Sequence, residues 1–121
     1  MQILLVDDSK AMRLIIRRAL RQAGFADEGI AEACNGAEAL KVIRESSPDL
    51  ILSDWNMPEM NGIDLLSTLT SEGKKVPFVF VTSESTPEMR ERALDAGALT
   101  LITKPFDSDK LRAVIGPILG R

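Results

Sequence analysis

The sequence predicts an α/β fold in which five parallel strands alternate with helices that cover both faces of the sheet. Three observations point there. Short apolar runs recur along the chain and are separated by segments whose apolar residues repeat at helical spacing. The runs are continuously apolar instead of alternating, as strands buried on both faces require. The helical segments open on Ser, Asn, Thr or Asp, and two of them close on Gly.

Gln2 to Val6 is the first strand. Ser9 caps a helix to about Ala23, with Met12, Ile15, Ile16, Ala19 and Leu20 on the core face, Arg13, Arg17, Arg18 and Arg21 on the other, and Gly24 as the stop. A weaker strand covers Ile30 to Cys34, and Asn35 with Glu38 reads as a capping box opening a helix to about Ser46. Asp49 to Ser53 is the third strand; a polar loop with Pro58 and Gly62 leads to a short helix from Ile63 to Ser71. The fourth strand spans Val76 to Val81, followed by the loop Thr82 to Ser85. Thr86 caps the next helix, with Pro87 at its first position and Gly97 past its end. Leu99 to Thr103 is the fifth strand, and Asp107 caps a last helix that Gly116-Pro117 should shorten or kink. Met57 and Met60 read as packing and loop residues, and Cys34 as a small buried residue at a strand end.

The chain has 121 residues, 15 Lys plus Arg against 18 Asp plus Glu, a formal charge of −3, one Cys and no His. A chain of that mass can bury about two-thirds of its surface in one core, so residues 1–121 are expected to form a single domain. Without histidine there is no Ser-His or Cys-His nucleophile pair and no histidine zinc site. Acid, base, nucleophile and metal work therefore falls to carboxylates, Lys or hydroxyls. The acidic balance argues weakly against nucleic-acid binding, no apolar run is long enough for a signal peptide or a membrane span, and the lone Cys34 makes a cytoplasmic location the default. No nucleic-acid or membrane partner is expected, and the chain is expected as a monomer.

Parallel sheets of this kind bind ligands beyond the carboxyl ends of their strands. Four of the five strands end in a reactive or phosphate-friendly side chain: Asp7-Asp8, Asp54, Thr82 and Lys104. If the first and third strands are neighbours, three carboxylates converge, with a hydroxyl and an ammonium facing them. Clustered carboxylates raise one another's pKa unless a cation sits among them, and a hard divalent ion such as Mg²⁺ suits oxygen donors while leaving room for a phosphate oxygen. A carboxylate nucleophile accepting a phosphoryl group has what it needs in such a site. Each residue alone also suits a turn or cap; their joint placement at one edge of one sheet is what ordinary turn chemistry does not explain.

The motifs Val6-Asp7-Asp8-Ser9 with Met12-Arg13, Asp54-Trp55-Asn56-Met57-Pro58 with Met60-Asn61-Gly62, Thr82-Ser83-Glu84, Ala96-Gly97-Ala98 and Lys104-Pro105-Phe106 stand in one order along the whole chain. In this set the sequence resembles the receiver domain of two-component response regulators, and within that family the stand-alone chemotaxis regulators. The resemblance implies a flavodoxin-like (βα)5 three-layer fold with strand order 2-1-3-4-5. It implies phosphorylation of Asp54, and Mg²⁺ held by Asp8, Asp54 and the Asn56 carbonyl, with Asp7 acting through water. Thr82, Ser83 and Lys104 would bind the phosphoryl group, and Asn56 and Glu84 would tune its hydrolysis. The sequence itself shows only an X-Pro bond at Pro105, for which trans is the commoner form; the resemblance implies cis. One departure stands out: many relatives carry Tyr or Phe three residues before the lysine, as an output switch, where this chain has Leu101.

The implied function is a signalling switch with no separate substrate, fed by a histidine kinase and read by a downstream protein. The flagellar motor switch is the first expectation for that protein, and a histidine phosphotransfer protein in a phosphorelay is the alternative. With 121 residues, no attached output domain is expected. A phosphatase of the haloacid dehalogenase type would also use an Asp nucleophile with Mg²⁺. It wants a second Asp two residues on, where this chain has Ser9 and Asn56. An unphosphorylated docking module is disfavoured because the acidic site is complete. The arginines of the first helix form either a solvated face or a docking face for an acidic kinase or phosphotransfer domain.

Overall fold

In a computed structural model, which describes residues 2–25 and 28–120, the chain forms five strands and five helices in strict alternation. These are β1 Gln2–Val6, α1 Lys10–Leu20, β2 Gly29–Ala33, α2 Gly36–Ser46, β3 Leu50–Ser53, α3 Gly62–Ser71, β4 Phe78–Thr82, α4 Pro87–Ala96, β5 Thr100–Thr103 and α5 Ser108–Ile118. All strands are parallel, in the order β2-β1-β3-β4-β5. The register pairs Val6 with Ala33 and with Ser53, and Thr82 with Thr103, so the strands end together along one edge.

The strands are apolar throughout because each face meets helices. Ile3, Leu5, Leu50, Leu52, Val79, Val81 and Ile102 pack against Ile16 and Leu20 of α1 and Leu111 and Ile115 of α5. On the other face Leu4, Val6, Ile51, Phe78, Phe80 and Leu101 pack against α2, α3 and α4, together with Trp55 and Met57. Burying such side chains stabilises the fold by about 1.5–3 kcal/mol each.

The caps follow the sequence. Ser9, Asn35, Asn61, Thr86 and Asp107 each accept a backbone N–H three residues on, satisfying donors that the first helical turn leaves open. Only half of the capping box at Asn35 forms: the Glu38 carboxylate accepts from Cys34 N–H at 3.3 Å instead of from Asn35.

Other expectations are corrected. Ile15 is 53% exposed, because the buried stripe of α1 runs through Ile16 and Leu20, one and two helical turns from Met12, and leaves Ile15 at its flank. Cys34 lies beyond β2 and is half-exposed. Helix α1 passes into a π-type turn, Arg21–Phe25, where Gly24 takes φ +98°, the left-handed region that glycine adopts without strain. Helix α5 is not shortened by Gly116-Pro117; it continues to Ile118, and Pro117, which cannot donate to Ala113 O, falls in the last turn with little helix beyond it to disturb. Strand β2 is shifted one residue toward the N-terminus of its expected span, and β4 begins two residues later than expected, at Phe78, and ends one later, at Thr82.

Candidate functional site

The pairing of Val6 with Ser53 places Asp7 and Asp54 side by side as β1 and β3 leave the sheet. Asp7, Asp8 and Asp54 each offer a carboxylate oxygen within 4.8 Å of the others. Asp7 is buried, Asp54 half-buried and Asp8 exposed, so the cluster opens outward from the sheet. Three hard oxygen donors, graded from core to solvent, fit a divalent cation that keeps part of its water shell.

Lys104 enters from β5. Its backbone N–H donates to Thr82 O at 2.7 Å, and its Nζ donates to Asp7 Oδ2 at 3.2 Å and stands 3.8 Å from Asp54 Oδ1. The ammonium thus sits between two of the three carboxylates and offsets part of their repulsion. The Lys104–Pro105 peptide bond is cis. Burial pushes the Asp54 carboxyl above the usual carboxylate range; Lys104 opposes that shift, and the charges of Asp7 and Asp8 add to it.

The loop that follows Asp54 is held from both sides. Trp55 N–H donates to Asp54 Oδ1 at 2.8 Å, and the loop returns when Gly62 N–H donates to Trp55 O at 2.8 Å. A Cβ at Gly62 would lie 2.4 Å from Asp54 O and 2.6 Å from Phe80 Cε1, so only glycine admits this approach. The buried Ser53 hydroxyl donates to Asp54 O at 2.9 Å. Asp7 is fixed in turn by Ser9 N–H on Oδ1 at 2.8 Å and by the Arg13 guanidinium on its carbonyl.

Thr82 is buried at the end of β4, its Oγ1 accepting from Glu84 N–H at 3.4 Å. Ser83 and Glu84, just beyond, are exposed, as is Asn56 two residues after Asp54. Leu101 is 4% exposed and pairs in register with Phe80; it borders a cavity of 490 Å³ shared with Arg90, Phe106 and Lys110.

The arginines of α1 divide. Arg13 Nε and Arg17 Nη2 hold Glu32 of β2 at 2.8 and 3.0 Å, whereas Arg18 and Arg21 are exposed. Burial works against the ionised Glu32, yet the bonds from Arg13 and Arg17 hold its pKa below the usual value. Nothing in the arginine spacing of α1 marks Glu32 as a partner, because Glu32 lies on the edge strand β2. A second contact had no signal: the Arg92 guanidinium of α4 lies over the Trp55 ring, 5.7 Å from its centroid, and that ring packs on Phe80 at 4.7 Å.

Residues 3–116 match the family described as the response regulator receiver domain. The chain is 37% identical over 123 residues to chemotaxis protein CheY1 of Helicobacter pylori, covering 99% of this chain and 98% of that protein. It is 38% identical over 123 residues to chemotaxis protein CheY of Pseudomonas aeruginosa, covering 100% and 98%. Among solved structures it resembles the Vibrio cholerae chemotaxis protein CheY4, with TM-score 0.84, 30% identity and 97% of both chains covered. The receiver domain of Francisella response regulator 1452 gives TM-score 0.88 at 28% identity, covering 99% of this chain and 97% of that one.

Proposed function

Given that the chain belongs to the response regulator receiver domain family, we propose that it is a single-domain, cytoplasmic signalling switch, phosphorylated on Asp54 by a histidine kinase and read by a protein partner in chemotaxis. The observation that carries this reading is the cluster of Asp7, Asp8 and Asp54 with the Lys104 ammonium between two of its members. Full-length similarity to chemotaxis proteins supports the chemotaxis assignment, with a flagellar motor switch as the target. The buried aliphatic Leu101, where many relatives carry an aromatic ring, favours a second reading in which the group passes on to a histidine phosphotransfer protein.

Asp7, Asp8, Asp54 and the Asn56 carbonyl would hold Mg²⁺. When bound, the ion supplies positive charge against the repulsion between these carboxylates and an incoming phosphoryl group. Burial raises the pKa of Asp54 and the charges of Asp7 and Asp8 add to it, so a cation in the cluster would favour the ionised, nucleophilic carboxylate. Trp55 N–H orients Oδ1 and leaves the other oxygen to attack. The P–N bond of the donor's phosphoimidazole breaks as the Asp54 O–P bond forms, and the imidazole leaves with the electron pair. Lys104, already beside Asp54, and the hydroxyls of Thr82 and Ser83 take up charge on the phosphoryl oxygens. Asn56 and Glu84 are exposed just past the ends of β3 and β4 and would tune hydrolysis from there. The receiver promotes these steps on itself and turns over no separate substrate.

The test is incubation with phosphoramidate, a small P–N phosphoryl donor, and Mg²⁺, followed by phosphorus NMR. An acyl phosphate resonance that requires Mg²⁺ supports the reading; steady phosphate release from a phosphomonoester with no acyl phosphate sinks it. A pull-down with the phosphorylated chain then separates the two outputs: a motor component supports chemotaxis, and a phosphotransfer protein alone supports the relay.

A further inference from the structure

Trp55 links Asp54 to helix α4. Its N–H donates to Asp54 Oδ1 at 2.8 Å, its carbonyl is fixed by Gly62, and its ring packs on Phe80 and lies under the guanidinium of Arg92 of α4. Among the described residues Arg92 has no carboxylate within ion-pair distance, so the indole is the partner its guanidinium keeps. A cation over an indole face is attracted by the ring quadrupole.

Helix α4 is also the helix with least to hold it. Ala93 is its single buried residue, against four in each of α2 and α3. An element with so little buried apolar contact opens and shifts at low cost, and one surface contact then weighs heavily in its position. The aromatic stack on this face runs from Phe78 to Phe80 to Trp55 and does not continue into β5, where the register neighbour of Phe80 is Leu101.

We propose that Arg92 is a positioning residue through which α4 reads the phosphoryl state of Asp54, acting by way of Trp55. The inference rests on Asp54 being the phosphoryl acceptor. Phosphorylation turns the charged acceptor of the Trp55 N–H into the carbonyl oxygen of an acyl phosphate, a neutral and weaker acceptor, and loosens the tie. It also brings one further negative charge within a residue of the ring on which a free guanidinium rests. Both changes act on the Trp55–Arg92 pair, and through it on a helix with little packing to resist.

The test is hydrogen exchange of the amides of residues 88–96, with and without phosphoramidate and Mg²⁺, normalised to the adduct fraction from intact mass. Wild type, Arg92→Ala and Arg92→Lys are compared. Arg92 is exposed, so neither substitution disturbs the core. Phosphorylation should change the α4 exchange rates by about threefold or more in wild type and Arg92→Lys, and by less than half as much, on a logarithmic scale, in Arg92→Ala. An Arg92→Ala response equal to wild type overturns the proposal, as does a wild-type adduct that leaves α4 exchange unchanged. Absence of an adduct in the wild type is a different failure: it removes the acceptor reading, and the relay with it.

Discussion

The ammonium of Lys104 donates to Oδ2 of Asp7 at 3.2 Å, joining the ends of β5 and β1 across the two strands that separate them. Both side chains are mostly buried, so removing the cation leaves an uncompensated carboxylate. Lys104→Met should therefore lower the stability of the metal-free protein by about 1–3 kcal/mol in urea unfolding. Adding Asp7→Asn should restore part of that loss, since the two positions share one interaction. Additive losses in the double variant would contradict the coupling.

The raised pKa of Asp54 has a signed consequence. A carboxyl whose folded pKa lies above its unfolded value binds its proton more tightly when folded, so it costs stability once the pH passes the unfolded pKa. Asp54→Asn should gain nothing over wild type below pH ~4, gain progressively as the pH rises through the folded pKa, and keep a constant advantage above it. Urea midpoints in EDTA across that range test this; equal midpoints at pH 7 would contradict it.

At Gly62 the space for a methyl group is already taken, with Asp54 O at 2.4 Å and Phe80 Cε1 at 2.6 Å. Gly62→Ala should cost about 1–3 kcal/mol of stability. It should also slow phosphorylation, because the displaced atom belongs to the acceptor residue. A variant phosphorylated as fast as wild type would show that the backbone of Asp54 tolerates the shift.

Cys34 Sγ donates to Glu38 Oε2 at 3.2 Å, and that carboxylate raises the thiol pKa. The half-exposed thiol should accordingly react slowly with iodoacetamide. Glu38→Gln should raise the rate at pH 8, since losing the carboxylate lets more of the thiol ionise. An unchanged rate would mean that the carboxylate does not control this thiol.

The alternation of strands and helices was legible because each strand is buried on both faces and most helices open on a capping side chain. Strand ends can then be read as one edge, which puts Asp7, Asp8, Asp54, Thr82 and Lys104 within reach of one another from the sequence alone. Which strands are neighbours was not in the pattern; that order followed from the resemblance. Ile15 was misplaced because hydrophobicity marks a stripe but not its width, and the width depends on how α5 packs beside α1. The burial expected of Cys34 failed for a related reason, since β2 ends one residue early at Ala33. Arg13 and Arg17 looked like one free surface with Arg18 and Arg21 because their partner Glu32 lies on a strand whose pairing the helix does not reveal. The Arg92–Trp55 contact crosses between distant elements and leaves no local trace.

The central claim is that Asp54 is the phosphoryl acceptor of this chain. Incubation with acetyl phosphate and Mg²⁺, read by intact mass, tests it most directly. One phosphoryl adduct is expected in wild type, lost when Mg²⁺ is chelated and absent in Asp54→Asn. An adduct that persists in Asp54→Asn, or none in the folded wild type, would contradict it.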